Sequence, residues 1–155
     1  MSRCLTIAAA QLGPISRNES RPQVVHRLIA LLQQAHDHGC ELVVFPECAL
    51  TPFFPHWWID DQSQIDLYFE RSLPSADTQP LFDEAARLGI GFCLGYAELV
   101  EETGRRRHFN SAVLVERHGR IVGNYRKVHL PGHAEHRSWH LRERSSHSQR
   151  RSQMN

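Results

Sequence analysis

Apolar positions change their spacing several times along this chain, and each change predicts an element. Leu5 to Leu12 is a short apolar run bounded by Gly13-Pro14, the pattern of a strand buried on both faces. From Arg21 to His38 the spacing becomes helical: Val24, Leu28, Leu31, Leu32 and Ala35 form one stripe, Ser20 stands at the cap, Pro22 fits the first turn and Gly39 ends it. Glu41 to Phe45 reads as a second strand, stopped by Pro46, which has no N–H for a ladder. Glu47 is thereby left at the carboxyl end of a buried strand.

Residues 51–62, Thr-Pro-Phe-Phe-Pro-His-Trp-Trp-Ile-Asp-Asp-Gln, are too aromatic for a solvated loop and too interrupted by proline for a helix, so they are expected to line a pocket. A second helix is expected over Thr78 to Leu88, with Asp77 as its cap, Leu81, Phe82, Ala85 and Leu88 as its stripe, and Gly89 as its stop. Ile90 to Leu99 follows as a strand, Gly104-Arg105-Arg106-Arg107 as a turn, and Phe109 to Glu116 as another strand. His118-Gly119 then makes a hairpin into Ile121 to Tyr125. This order is α/β, with strands that begin parallel and finish antiparallel.

Composition adds a boundary. The formal net charge is +1, but residues 134–155 hold five Arg against two Glu, so the remainder sits near −2 and has no footprint of a nucleic-acid binder. That last segment is dominated by Arg, Ser and His and is expected to be disordered, separate from a partial domain over residues 1–133. No apolar run approaches the roughly 20 residues of a membrane span, and the amino terminus lacks a leader-like apolar region. Cys4, Cys40, Cys48 and Cys93 are widely spaced without a C-x-x-C pair. They read as reduced core residues, and the protein as cytoplasmic.

Two stretches carry chemistry. Ligands in open α/β sheets bind outside the carboxyl ends of strands, where Glu47 stands as a general base; a solvated strand-end carboxylate is the other reading. Lys127, in Tyr125-Arg126-Lys127-Val128-His129-Leu130-Pro131-Gly132-His133, is the only lysine among 18 basic residues. A compact ammonium differs from guanidinium in geometry and in how readily its pKa moves; a hairpin-end charge is its other reading.

Together, Pro46-Glu47 and, about eighty residues on, Tyr-Arg-Lys-x-His-Leu-Pro-Gly-His resemble the first two thirds of the nitrilase (carbon-nitrogen hydrolase) superfamily signature. More narrowly, Gly89 to Leu99, Phe53-Phe54-Pro55 and Phe109-Asn110-Ser111 resemble N-carbamoyl-D-amino-acid hydrolases. The resemblance covers about residues 4–133 and implies an α-β-β-α sandwich, here truncated to its amino-terminal half. It also implies a Glu-Lys-Cys mechanism on a small N-carbamoyl amino acid or amide, with no cofactor, no metal and a family-like homo-oligomer. Glu47 matches the general base, Lys127 the cation facing the tetrahedral intermediate, and His129 a histidine near the substrate. A carbamoyl carbon is a poor electrophile, hence a thiolate nucleophile, a carboxylate to move its proton, and fixed positive charge at the oxyanion.

None of the four cysteines has the context of the family nucleophile, so the chain by itself is expected to be inactive. Residues from about Glu135 onward are expected to be unrelated to the family. Two readings of other classes use the end of the chain. His129, His133, His136 and His140, spaced four, three and four apart, suit a metal on a helix, although Pro131-Gly132 interrupts them. The basic segment could also hold phosphates as a nucleic-acid arm, but no aromatic platform accompanies its charge.

Overall fold

The computed structural model describes residues 4–128. The elements are β1 (Ile7–Ala9), α1 (Arg21–Asp37), β2 (Leu42–Val44), a 3-10 turn at Phe54–His56, α2 (Gln62–Asp66), α3 (Gln79–Leu88), β3 (Gly91–Glu102), β4 (Arg105–Val115) and β5 (Ile121–Arg126). They build one five-stranded sheet in the order β1-β2-β3-β4-β5. Its first three strands are parallel and its last three antiparallel, as the sequence implied. Strand β3 belongs to both halves and is paired along both edges.

Register decides which face each residue serves. Ala8, Val43, Phe92 and Val115 lie opposite one another across four strands and face the helices. There they meet Val24, Val25, Leu28 and Leu32 of α1 and Leu81, Phe82 and Ala85 of α3. Phe92 takes Phe82 edge-on at 5.1 Å and Phe45 at 6.0 Å. The adjacent row, Ala9, Val44, Cys93 and Leu114, points the other way, and Val44 and Leu114 are 40 % and 41 % exposed. Strand β1, expected to be buried on both faces, is therefore covered on one only, and Ile7 is 53 % exposed. It is also shorter than expected, because it lies at the sheet edge against a three-residue partner.

Three local expectations are corrected. Residues 51–62 do not wall the cavity described below, and of them only Pro52 borders a second, of about 380 Å³. Phe54 and Ile59 pack with Ile65, Phe69, Ala97 and Leu99 into a second small core over the far end of β3. The proline-broken aromatic run is a plug, stacked through Phe54 on Tyr68 at 5.0 Å. The cap of α3 is Thr78, not Asp77: the fully buried Thr78 hydroxyl accepts from Ser75 N at 2.7 Å. The three arginines after Gly104 are not a turn either. Thr103 and Gly104, with φ of 51° and 75°, make a tight two-residue connection, and Arg105–Arg107 continue as strand. There Arg106 and Arg107 bond the cross-strand carboxylates of Glu101 and Glu102, at 3.2 and 3.1 Å, which favours the longer ladder.

Two features fix the position of the loop after β2. Phe45 N–H donates to Cys93 O at 2.9 Å and Ala49 N–H to Gly95 O at 2.8 Å, so the segment follows β3 beyond the end of the strand. Between these bonds Cys48 takes a left-handed φ of 51°. The backbone of residues 46–48 then lies on Gly95, where an added Cβ would stand 2.8 Å from both Glu47 Cα and Pro46 O. Gly95 is thus required by space. The second core is held by Asp66, which is buried and accepts from His108 Nε2 at 2.7 Å, Gln62 Nε2 at 2.9 Å and Arg106 Nη1 at 3.0 Å.

Gly95→Ala is expected to destabilise the chain by about 1–3 kcal/mol through this clash, read as a lower urea midpoint. An unchanged midpoint would show that the loop yields without cost. Acid should weaken the fold through Asp66. Burial alone pushes that carboxyl up, but its bonds to Gln62, His108 and Arg106 outweigh burial and bring it below the ordinary carboxylate value. Its contribution is therefore complete at neutral pH and is lost as pH falls below the ordinary carboxylate range and through the depressed value. Between pH about 7 and about 3, the urea midpoint of Asp66→Asn should fall less than that of the parent chain.

Candidate active site

The exposed face of the sheet carries the candidate site. Glu47 arrives on the loop held over Gly95, and Lys127 directly follows β5, with its backbone N–H donating to Asn110 O at 2.8 Å. The two side chains meet. Lys127 Nζ donates to Glu47 Oε1 at 2.7 Å, and Asn110 Nδ2 donates to the same oxygen at 2.5 Å. These three residues border a cavity of about 450 Å³, whose other wall is mostly apolar: Phe45, Cys93, Gly95, Ala112 and Tyr125, with Ser111.

The pair is not there chiefly for stability. The two side chains are 44 % and 33 % exposed, and an ion pair in that setting contributes about 0.2–1 kcal/mol. Its interest is geometric: a fixed cation and a neutral donor address one carboxylate beside an apolar cavity. Such an arrangement suits a proton acceptor next to a centre where negative charge develops.

The cysteines divide. Cys48 is 4 % exposed, and its thiol is pushed up to about 12 by burial first and then by the negative charge of Glu47, with Lys127 opposing. Cys93 lines the cavity, and burial raises its pKa as well. Neither is held as a thiolate at neutral pH. Cys40 packs against the main core, but Cys4 is exposed, contrary to the expectation that all four are core residues, because it precedes the edge strand.

On the opposite face, immediately behind the site, the buried Glu98 carboxylate accepts from Arg126 Nε and Nη2 at 2.8 and 2.9 Å and from Ser111 Oγ at 2.7 Å. Burial pushes the Glu98 carboxyl up, but the bonds from Arg126 and Ser111 together bring it below its ordinary value. The guanidinium of Arg126 also covers the Phe109 ring at 4.1 Å.

Glu47 and Lys127 are thus brought together as a pair, while His129 lies outside the described residues, as do His133, His136 and His140 of the metal reading. Among the described residues there is no group of three or more side chains that could hold a metal ion. Nor does any described helix have the length and apolarity to cross a membrane. Sequence reasoning assigned no role to Asn110, Glu98 or Arg126. A signal was present, since Asn110-Ser111 is a polar pair within the apolar stretch Phe109 to Val115, and consecutive strand residues face opposite sides.

Comparison with known proteins places this geometry in context. The chain is 31 % identical over 135 residues to an arylacetone-specific nitrilase of Alcaligenes faecalis, covering 83 % of this chain and 36 % of that protein. It is 34 % identical over 118 residues to a cyanide hydratase of Botryotinia fuckeliana, covering 72 % and 30 %. The chain therefore spans roughly a third of the length of the curated relatives it matches. Among solved structures, a carbon-nitrogen hydrolase from Helicobacter pylori G27 superposes with a TM-score of 0.63 at 25 % identity, over 82 % of this chain and 40 % of that one. An N-terminal amidase superposes with a TM-score of 0.62 at 22 % identity, over 82 % and 28 %, a likeness of fold. The described sheet and its helices accordingly have the nitrilase-like α/β fold. The model of the carbon-nitrogen hydrolase family matches residues 6–153, a span that continues through the Arg/Ser/His-rich segment. With nearly the whole chain inside that match, this protein belongs to the carbon-nitrogen hydrolase family of the nitrilase superfamily.

Proposed function

We propose that this chain supplies the base and the cation of a thiol-dependent hydrolase site whose substrate is a small N-carbamoyl-D-amino acid. The observation that carries this reading is the convergence of Lys127 Nζ and Asn110 Nδ2 on Glu47 Oε1 beside the cavity. In the reaction, water converts the carbamoyl compound to the free amino acid, ammonia and carbon dioxide. Glu47 takes the proton of the attacking thiol and returns one to the leaving nitrogen. Lys127 faces the oxygen on which negative charge develops. The choice of an N-carbamoyl substrate rests on the runs Gly89–Leu99, Phe53-Phe54-Pro55 and Phe109-Asn110-Ser111, which resemble that branch of the family.

A second reading is a nitrile substrate, favoured by the nitrilases among the curated relatives and by the apolar wall of Phe45, Ala112 and Tyr125. Both substrates present an electrophilic carbon bound to nitrogen, so Glu47 and Lys127 keep the same duties.

Titration of the chain with an N-carbamoyl-D-amino acid should shift the amide resonances of Gly95, Asn110 and Lys127, with smaller shifts from its L enantiomer and from an arylaliphatic nitrile. Larger shifts from the nitrile would favour the second reading, and shifts confined to other parts of the sheet would sink both. Because Cys48 is buried and neither it nor Cys93 has the setting of the family nucleophile, ammonia release by the chain alone is expected to match the buffer rate and to be unchanged in Glu47→Gln. Release above buffer that Glu47→Gln abolishes would overturn that expectation.

A further inference from the structure

We propose that Asn110 is a positioning residue for Glu47, fixing the carboxylate through Oε1 in the orientation that serves as the base beside the cavity. The proposal rests on the reading of Glu47 as a base. It adds a residue outside the Glu-Lys-Cys set to the machinery that makes that carboxylate usable.

Asn110 acts on both partners. Its side chain reaches Glu47 Oε1 at 2.5 Å, and its backbone carbonyl accepts the Lys127 N–H at 2.8 Å, so one residue locates the base and the strand end that carries the cation. It is 7 % exposed and lies on β4, which is paired on both sides, so its donor has little freedom to move away. The position is reinforced from behind. Ser111 and Arg126 face each other in register and both donate to Glu98, which sets the β4–β5 alignment at the residues adjoining Asn110 and Lys127. Because neighbouring strand residues point to opposite faces, the clamp's hydrogen bonds lie away from the Asn110 side chain, although Ser111 also borders the cavity.

The residue type suits the task. A primary amide donates to a carboxylate without adding charge and does not titrate, so its hold on Glu47 is constant with pH. Donors to a charged carboxylate stabilise its charged form, so Asn110 and Lys127 together favour ionised Glu47. An aspartate in the same place would have the same shape but would repel Glu47.

The test is a carbon-13 NMR titration of the Glu47 carboxyl in the full chain, with the resonance assigned through Glu47→Gln. Lys127, Cys93 and Tyr125, which line the same cavity, and Cys48 behind it are kept constant through the series. Asn110→Ala and Asn110→Ser are expected to raise the Glu47 midpoint by about one pH unit. Asn110→Asp should raise it further, through a second negative charge. Ser111→Ala, which removes a hydroxyl bonded to Glu98 rather than to Glu47, should leave it in place. A midpoint unmoved in both Asn110→Ala and Asn110→Ser, with the amide spectrum of β3–β5 preserved, would overturn the proposal. So would an equal shift in Ser111→Ala, which would mark a general loosening of the sheet. If Asn110→Ala alone unfolds, Asn110→Ser decides. The titration needs no turnover, so failure here is separate from failure of the substrate assignment, which the ligand titration reads.

Discussion

A missing side chain on the central strand is the constraint from which the site follows. At Gly95 the loop of residues 46–48 rests directly on β3, and any Cβ there would occupy the space of the Glu47 backbone. The bonds from Phe45 N to Cys93 O and from Ala49 N to Gly95 O hold the loop down at both ends. Pro46 ends the β2 ladder, the left-handed turn at Cys48 reverses the chain, and Glu47 is presented over the open face. The carboxylate is placed by backbone packing before any charged partner acts on it.

The two faces of β4 and β5 divide the remaining work. Glu98, Ser111 and Arg126 form a bonded cluster on one face, in which a buried carboxylate is satisfied by three donors and the strand pair is thereby locked. A carboxylate in that position would be costly if any of its donors were removed. Asn110 and Lys127, their immediate neighbours, point into the cavity, where the ion pair with Glu47 contributes little stability and a defined geometry. Burial thus goes to the charges that hold the sheet, and exposure to those that border the cavity. At the far end of β3, Asp66 repeats the first pattern, tying the second core to the β3–β4 hairpin.

Much of the fold was legible because burial on regular elements leaves a period in the sequence. The stripe from Val24 to Ala35 is the buried face of α1, and the change from parallel to antiparallel pairing followed from helices giving way to hairpins. The errors came where a local rule had two outcomes. Aromatic residues broken by prolines were expected to wall a pocket, but Phe54 is fully buried in a second core, a choice made by Ile65, Phe69 and Leu99 far along the chain. Gly104 was rightly seen to mark a turn, yet the arginines after it became strand because Glu101 and Glu102 stand opposite them.

By itself the sequence determined the element order, the α/β class, and the two stretches that hold Glu47 and Lys127, since each depends on residues within a few turns or one strand. Only the tertiary structure decided that these side chains, 80 residues apart, share one oxygen, and that Asn110 joins them. A contact of that kind depends on strand order and register summed across β2, β3, β4 and β5. A shift of one residue in any pairing would turn Asn110 or Lys127 to the opposite face, and no local pattern records that alignment.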